Sequence, residues 1–168
     1  MSKLIGYDYG TSFKIFQNTN SASTNATSTT YLSGVLIPNN TYTTGDYPRC
    51  NALFEKTGAN NGYDVRLYWN STNDLSGSPV LLGVVSATTA TVSTYNMYRQ
   101  IKITGSTGSN SIILSTTITG LAFDPFPQTP VPQLVSIDWT IDGYIIAAAR
   151  CISSSDSITV HYLRVTNN

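Results

Sequence analysis

The sequence predicts an all-β chain, a sandwich or a barrel, on three observations. Short runs rich in β-branched and aromatic residues recur along most of the chain. Clusters of Asn, Gly, Pro, Ser and Asp separate them at the spacing of sandwich or barrel strands. Helical periodicity is nearly absent.

The elements follow in order. Residues 1–17, MSKLIGYDYGTSFKIFQ, are apolar and aromatic and read as an anchoring segment or as a first strand. Residues 18–30, NTNSASTNATSTT, contain no large hydrophobe and read as a Ser/Thr/Asn-rich linker, which as random coil spans roughly 20 Å. Residues 31–168 read as the strand-rich domain. YLSGVLIP is a strand that stops at Pro38, and Asn39-Asn40 turns. RCNALFEKTG alternates Cys50, Ala52 and Phe54 against Asn51, Leu53 and Glu55. DVRLYWN puts Val65, Leu67 and Trp69 on one face, with Arg66 and Tyr68 on the other. PVLLGVVSA is a strand interrupted by Gly83; MYRQIKITG and SIILSTTITG pair across a turn at STGSN. The stretch 123–133, FDPFPQTPVPQ, holds four prolines and reads as a stiff crossing loop or an arm laid on a neighbour. LVSIDWTIDGYIIAAARCI holds two strands or one long bent strand, and SITVHYLRV is the last. YIIAAARCI lacks polar alternation before Arg150, so it reads as buried on both faces. Either another part of the chain covers its outer face, or Tyr144, Ile145, Ile146 and Ala148 form a subunit interface of a dimer or trimer.

Composition narrows the function classes. The 168 residues suffice for one domain with its own core. Charged residues are 11%, with nine of each sign, so the chain shows no basic surplus for nucleic acid. Ser, Thr and Asn make up roughly a third of the chain and keep its surface polar without charge. The beginning shows no signal-peptide core and no apolar run is long enough for a bilayer, so the expectation is a cytoplasmically made protein with no membrane anchor. Cys50 and Cys151 form no motif and read as small buried hydrophobes, with a disulfide left open if their strands are neighbours.

Candidates for chemistry are sparse. The single histidine, His161, lies mid-strand, and no serine sits in a nucleophile elbow. Asp138 and Asp142, four apart, would share one face of a continuous strand and would be the acids of a polysaccharide hydrolase, or a solvent-facing pair. No metal-ligand or phosphate-loop spacing is present, and no enzyme activity, cofactor or metal is expected. Sugar sites use aromatic platforms with amide and hydroxyl partners, which makes Trp69, Asn70, Tyr95 and Tyr98 candidate glycan contacts.

One resemblance sharpens this reading. IPNNTYTTGDYPRCNALFEKTG, then VRLYWNSTNDLSGSPVLLG and later SIDWTIDGYIIAAARCISSSDS, resemble a recurrent pattern in structural proteins of tailed bacteriophages, over about residues 32–160. The resemblance implies a jelly-roll-like antiparallel β-sandwich on the virion surface: a capsid decoration protein, a head fibre or a tail-fibre component assembled in the host cytoplasm. Its partners would be other virion proteins of capsid or tail, copies of itself and, at a fibre tip, a host surface glycan. The N-terminal segment does not match the pattern. Leu4, Ile5, Tyr7, Tyr9, Phe13, Ile15 and Phe16 are its candidate virion-docking residues, acting as an extended peptide.

Overall fold

Alternation along the strands builds two sheets that share one apolar interior. The computed structural model describes residues 14–105, 110–114 and 133–167. These form eleven strands and no helix, so none is long and apolar enough to cross a membrane. The strands are β1 (Ile15–Asn18), β2 (Ala22–Thr24), β3 (Thr30–Ile37), β4 (Arg49–Thr57), β5 (Asn61–Asn70), β6 (Val80–Ala90), β7 (Ser93–Ile103), β8 (Ser111–Leu114), β9 (Gln133–Val135), β10 (Gly143–Cys151) and β11 (Ser157–Thr166). The larger sheet runs β1-β11-β4-β7-β8-β9, with β2 following β1 along the same edge of β11. The smaller sheet runs β3-β10-β5-β6. All pairings are antiparallel.

The connectivity is a folded ribbon. β5 and β6 are a hairpin in the smaller sheet, while the strands flanking them, β4 and β7, pair in the larger one. The ribbon therefore bends across the core, which is the jelly-roll-like device. β10 enters between β3 and β5, and β11 between β1 and β4.

The inward rows are the apolar positions that the alternation marks. β4 contributes Cys50, Ala52 and Phe54, and β5 contributes Val65, Leu67 and Trp69. On β11 the inward residues are Ile158, Val160, Leu163 and Val165; a bulge at His161 accounts for the step of three. Cys50 and Cys151 lie in different sheets, and both thiols are buried and free. Burial pushes the Cys50 thiol up to about 12.

The beginning of the described chain belongs to the sandwich. Ile15 and Phe16 lie in β1, opposite Thr166 and Val165. Phe16 packs edge-on against Tyr42, with centroids 6.4 Å apart, and Tyr42 packs edge-on against Trp139 at 5.7 Å. These two residues are therefore sandwich strand, the other reading open to them; Leu4, Ile5, Tyr7, Tyr9 and Phe13 lie outside the described residues. The expected linker also differs. Within 18–30, β2 pairs with β11, Asn18 Nδ2 donates to Gly34 O at 3.3 Å, and Cys151 N donates to Ala26 O at 2.8 Å. Backbone hydrogen bonds hold this stretch where apolar burial could not. The turn at 106–109 and the proline-rich 123–132 lie outside the described residues.

Candidate functional site

The outer face of the smaller sheet carries the most varied chemistry. Residues cross it in rows set by the register. Arg150, Asp64 and Ser86 form one row; Tyr31, Ala148, Arg66 and Val84 form the next; Gly34, Ile146, Tyr68 and Leu81 the third. The apolar end is covered by the chain itself. Tyr68, Ile146 and Ala148 are buried in a small second cluster with Tyr31, Leu75, Leu81 and Tyr144 packed on it. The cover is the β5–β6 loop, folded back so that Tyr31 Oη donates to Asn73 Oδ1 at 2.9 Å, directly over Gly34. Buried Asn70 holds the loop in this shape, its Nδ2 donating to Asp74 O and Ser76 O, both at 2.9 Å. Of the candidate interface residues, Ile145 points into the main core, Ile146 and Ala148 are covered by this cluster, and Tyr144 is half-buried. The two-sided burial read from the sequence is met within one chain.

At the other end of this face lies an ion cluster. Asp64, with only 7% of its side chain exposed, accepts from Arg66 Nη2 at 3.1 Å, from Arg150 Nε and from Ser86 Oγ. Arg66 Nη1 donates to Tyr68 Oη at 3.2 Å. Burial works to raise the Asp64 carboxyl, but the Ser86, Arg150 and Arg66 donors outweigh it and hold it below its ordinary value.

The end of the sandwich formed by the β4–β5 and β10–β11 turns holds a second feature. An open pocket of about 370 Å³ is lined by hydroxyl side chains from Ser23, Thr24, Thr57 and the serines flanking Asp156. Beneath it Lys56 Nζ and Asp156 Oδ1 lie 3.2 Å apart, both side chains almost wholly out of solvent. Gly58, at φ 115°, makes room: a Cβ there would sit 2.7 Å from Asp156 Oδ1. Burial works to raise the Asp156 carboxyl; the Lys56 ammonium beside it prevails and lowers it. A lowered folded-state pKa gives stability that is present above the unfolded value near pH 3.9 and is lost as pH falls through the folded one. Lys56→Met leaves the carboxylate buried without its cation. We expect thermal melts from pH 7 to pH 2 to show a large deficit for Lys56→Met at pH 7. That deficit should narrow below about pH 4; a deficit that is the same at all pH values would remove the ion pair as its cause.

The sequence candidates do not converge on one place. Trp69 is buried in the main core and Tyr95 packs against it. Asn70 is the buried loop anchor, and Tyr98 lies half-buried on the outer face of the larger sheet. The four therefore do not form one glycan platform. Asp138 and Asp142 do not share a strand: residues 136–142 are a turn segment between β9 and β10. Asp138 caps Thr140 N at 2.9 Å, and Asp142 accepts from Asn39 N at 2.8 Å. His161 lies on β11 and pairs with Glu55 at 2.8 Å. Among the described residues no group of three or more His, Cys, Asp or Glu is placed to hold a metal ion. Sequence reading missed the Asp64–Arg66–Arg150 cluster. The available signal was the i, i+2 spacing of Asp64 and Arg66, which puts both on the face opposite Val65.

No family model matches the chain, and no curated protein matches it.

Proposed function

We propose that this chain is a non-enzymatic structural protein of a tailed-bacteriophage particle, a surface appendage or decoration protein docked through the segment that precedes Lys14. The observation that carries the reading is the polarity of the sandwich. Both ends of the described chain meet at one end of the body, where Asn167 N donates to Lys14 O at 3.1 Å. The hydroxyl-lined pocket lies at the opposite end, the length of the ten-residue β11 away, roughly 30 Å, and the Asp64 cluster lies toward that end. A body tethered at Lys14 presents that opposite end outward. The residues that carry the phage resemblance support the same reading through their structural roles. Asn39 and Asn40 shape the turn after β3, Lys56-Thr57-Gly58 the turn after β4, and Leu75-Ser76-Gly77 the covering loop.

The docking residues of this proposal are Leu4, Ile5, Tyr7, Tyr9 and Phe13. The test compares the full chain with a form that begins at Lys14 and so keeps β1 and Phe16. Both should melt at the same temperature. Only the full chain should co-sediment with virus particles purified from the producing culture and be labelled there by antibody. Equal association of both forms removes the docking role, and absence of the full chain from particles overturns the reading.

A further inference from the structure

The geometry points to a side-by-side contact between copies of this chain, in which the outer face of the larger sheet of one copy receives loops 71–79 and 136–142 of the next. This goes beyond the virion reading and does not depend on it. The face is built from the outward rows of β11, β4 and β7. Arg49 stands between Thr166 and Gln100; in the next row Asn51 stands between Arg164 and Tyr98; in the row after, Leu53 stands between Tyr162 and Asn96. Lys102 lies beyond Gln100 on β7, opposite Ile112. Among the described residues Arg49, Lys102 and Arg164 enter no ion pair, and the acid on this face, Glu55, is met by His161. Arg164 is set over the Tyr162 ring, 5.7 Å from its centroid. Arg49 Nε is shielded from water and meets no hydrogen-bond acceptor, so a carboxylate brought to this guanidinium meets a charge that solvent serves poorly. Tyrosine, arginine and aliphatic side chains with few acids are the composition of protein contact surfaces. Six strands make the face roughly 24 Å across, the scale of one side of a stable interface, about 800 Å² of accessible surface.

The occupant is a second copy because the matching charge is on this same chain. The described carboxylates outside ion pairs, Asp46, Asp74, Asp138 and Asp142, all lie in loops at the end where Lys14 and Asn167 meet. Asp74 and Asp142 are on the smaller-sheet side, Asp74 in the loop that covers the outer face of that sheet and Asp142 beside Asn39 at the entry to β10. Turn caps hold the carboxylates in place: Asp74 accepts from Ser76 N and Asp138 from Thr140 N, both at 2.9 Å. Arg49 opens β4, while Lys102 and Arg164 lie near the last residues of β7 and β11, so the cations sit in the rows nearest that same end. The positive and negative patches are therefore level along the strands and on opposite sides of the sandwich. Two larger-sheet faces set against each other would oppose guanidinium to guanidinium, which excludes a two-fold pairing of that face with itself. A face-to-back contact is heterologous. Copies joined by it stand side by side, the same way up, with the Lys14 end of each on one side.

The test is the mass of the full chain in solution by sedimentation, at rising protein concentration and at two salt levels. Association beyond the monomer is expected at low salt, weakening roughly tenfold as the screening length falls from about 10 Å at 0.1 M to about 3 Å at 1 M. Arg49→Glu with Arg164→Glu should give monomers. Asp74→Asn, Asp138→Asn and Asp142→Asn together, which keep the turn-capping oxygens, should weaken association roughly tenfold. Adding Asp74→Lys and Asp142→Lys to the two glutamate substitutions should bring association back, because the charges are then exchanged. Melting temperatures separate lost association from lost fold, and the asparagine set and the salt series decide the matter should the lysine form unfold. A monomer at every concentration in low salt overturns the contact, as does association that survives both the glutamate pair and the asparagine set. A monomer that binds heparin through Arg49 and Arg164 assigns the face to an acidic polymer and overturns the second copy as its occupant.

Discussion

Gly143→Ala is expected to destabilise the sandwich by about 3 kcal/mol, the upper end of overpacking costs, or roughly 6–12 °C in melting temperature for a chain of this size. A Cβ at Gly143 would sit 2.6 Å from Nε1 of Trp69 and 2.8 Å from two further ring atoms. The indole cannot swing aside, because Trp69 is a buried member of the main core. Gly143 also opens β10, where Gly143 pairs with Ile37, so a shift of its backbone would disturb the pairing in the centre of the sheet. Thermal or urea unfolding measures the effect. Trp69→Phe, which shrinks the ring, should recover part of the loss when combined with Gly143→Ala, although it costs stability alone. Strictly additive costs would mean that the two residues do not meet.

Asn110→Ala is expected to cost a similar amount, about 2–6 kcal/mol, since two buried backbone groups lose their partners at about 1–3 kcal/mol each. The Asn110 amide acts as a piece of backbone. Its Oδ1 accepts from Ile137 N at 3.1 Å and its Nδ2 donates to Ile137 O. Ser111 Oγ donates to Asn110 Oδ1 and accepts from Trp139 Nε1, both at 2.9 Å. Asn110, Ser111, Ile137 and Trp139 are all buried, so water cannot readily take over these bonds. Hydrogen exchange at the Ile137 amide gives the local readout: strong protection in the native chain, early loss in Asn110→Ala. Asn110→Asp keeps the acceptor but sets a carboxylate oxygen against Ile137 O. It should therefore regain stability as pH is lowered and that oxygen becomes a donor. A wild-type exchange rate at Ile137 in Asn110→Ala would disprove the bridge.

Where the hydrophobic pattern carried the information, the sequence was readable. Cys50, Ala52 and Phe54, and Val65, Leu67 and Trp69, point inward as their alternation requires. Tyr144–Ala149 read correctly as covered on both sides. Its cover was not readable, because the β5–β6 loop folds back through the side-chain bonds of Asn70 and Asn73, which leave no periodic trace. β2 was missed for a related reason. Ala22, Ser23 and Thr24 bring little apolar surface and are held by the edge of β11, a partner more than a hundred residues away. The Asp138–Asp142 pair assumed a continuous strand, whereas Asp138 bonds its own backbone two residues on and makes a turn. The candidate site joins Arg150 to Asp64 across 86 positions, a pairing that only the register of β10 on β5 reveals.

The late entry of β10 and β11 has a consequence for synthesis. Each lands in the interior of its sheet, between strands made much earlier. A ribosome-bound chain that has emerged only through β8 can close the β5–β6 hairpin and the β4–β7 pair, which are near in sequence. β3 and β1 still lack the strands to which they pair. Until these two strands arrive, the nascent chain carries open strand edges and an unsealed apolar interior, the features that invite pairing with neighbouring chains. Completion of the fold is thus a late, all-or-none insertion with long loop closures, in the millisecond-to-second class of β-sandwich folding. Chains stalled before Gly143 should be the species that aggregate.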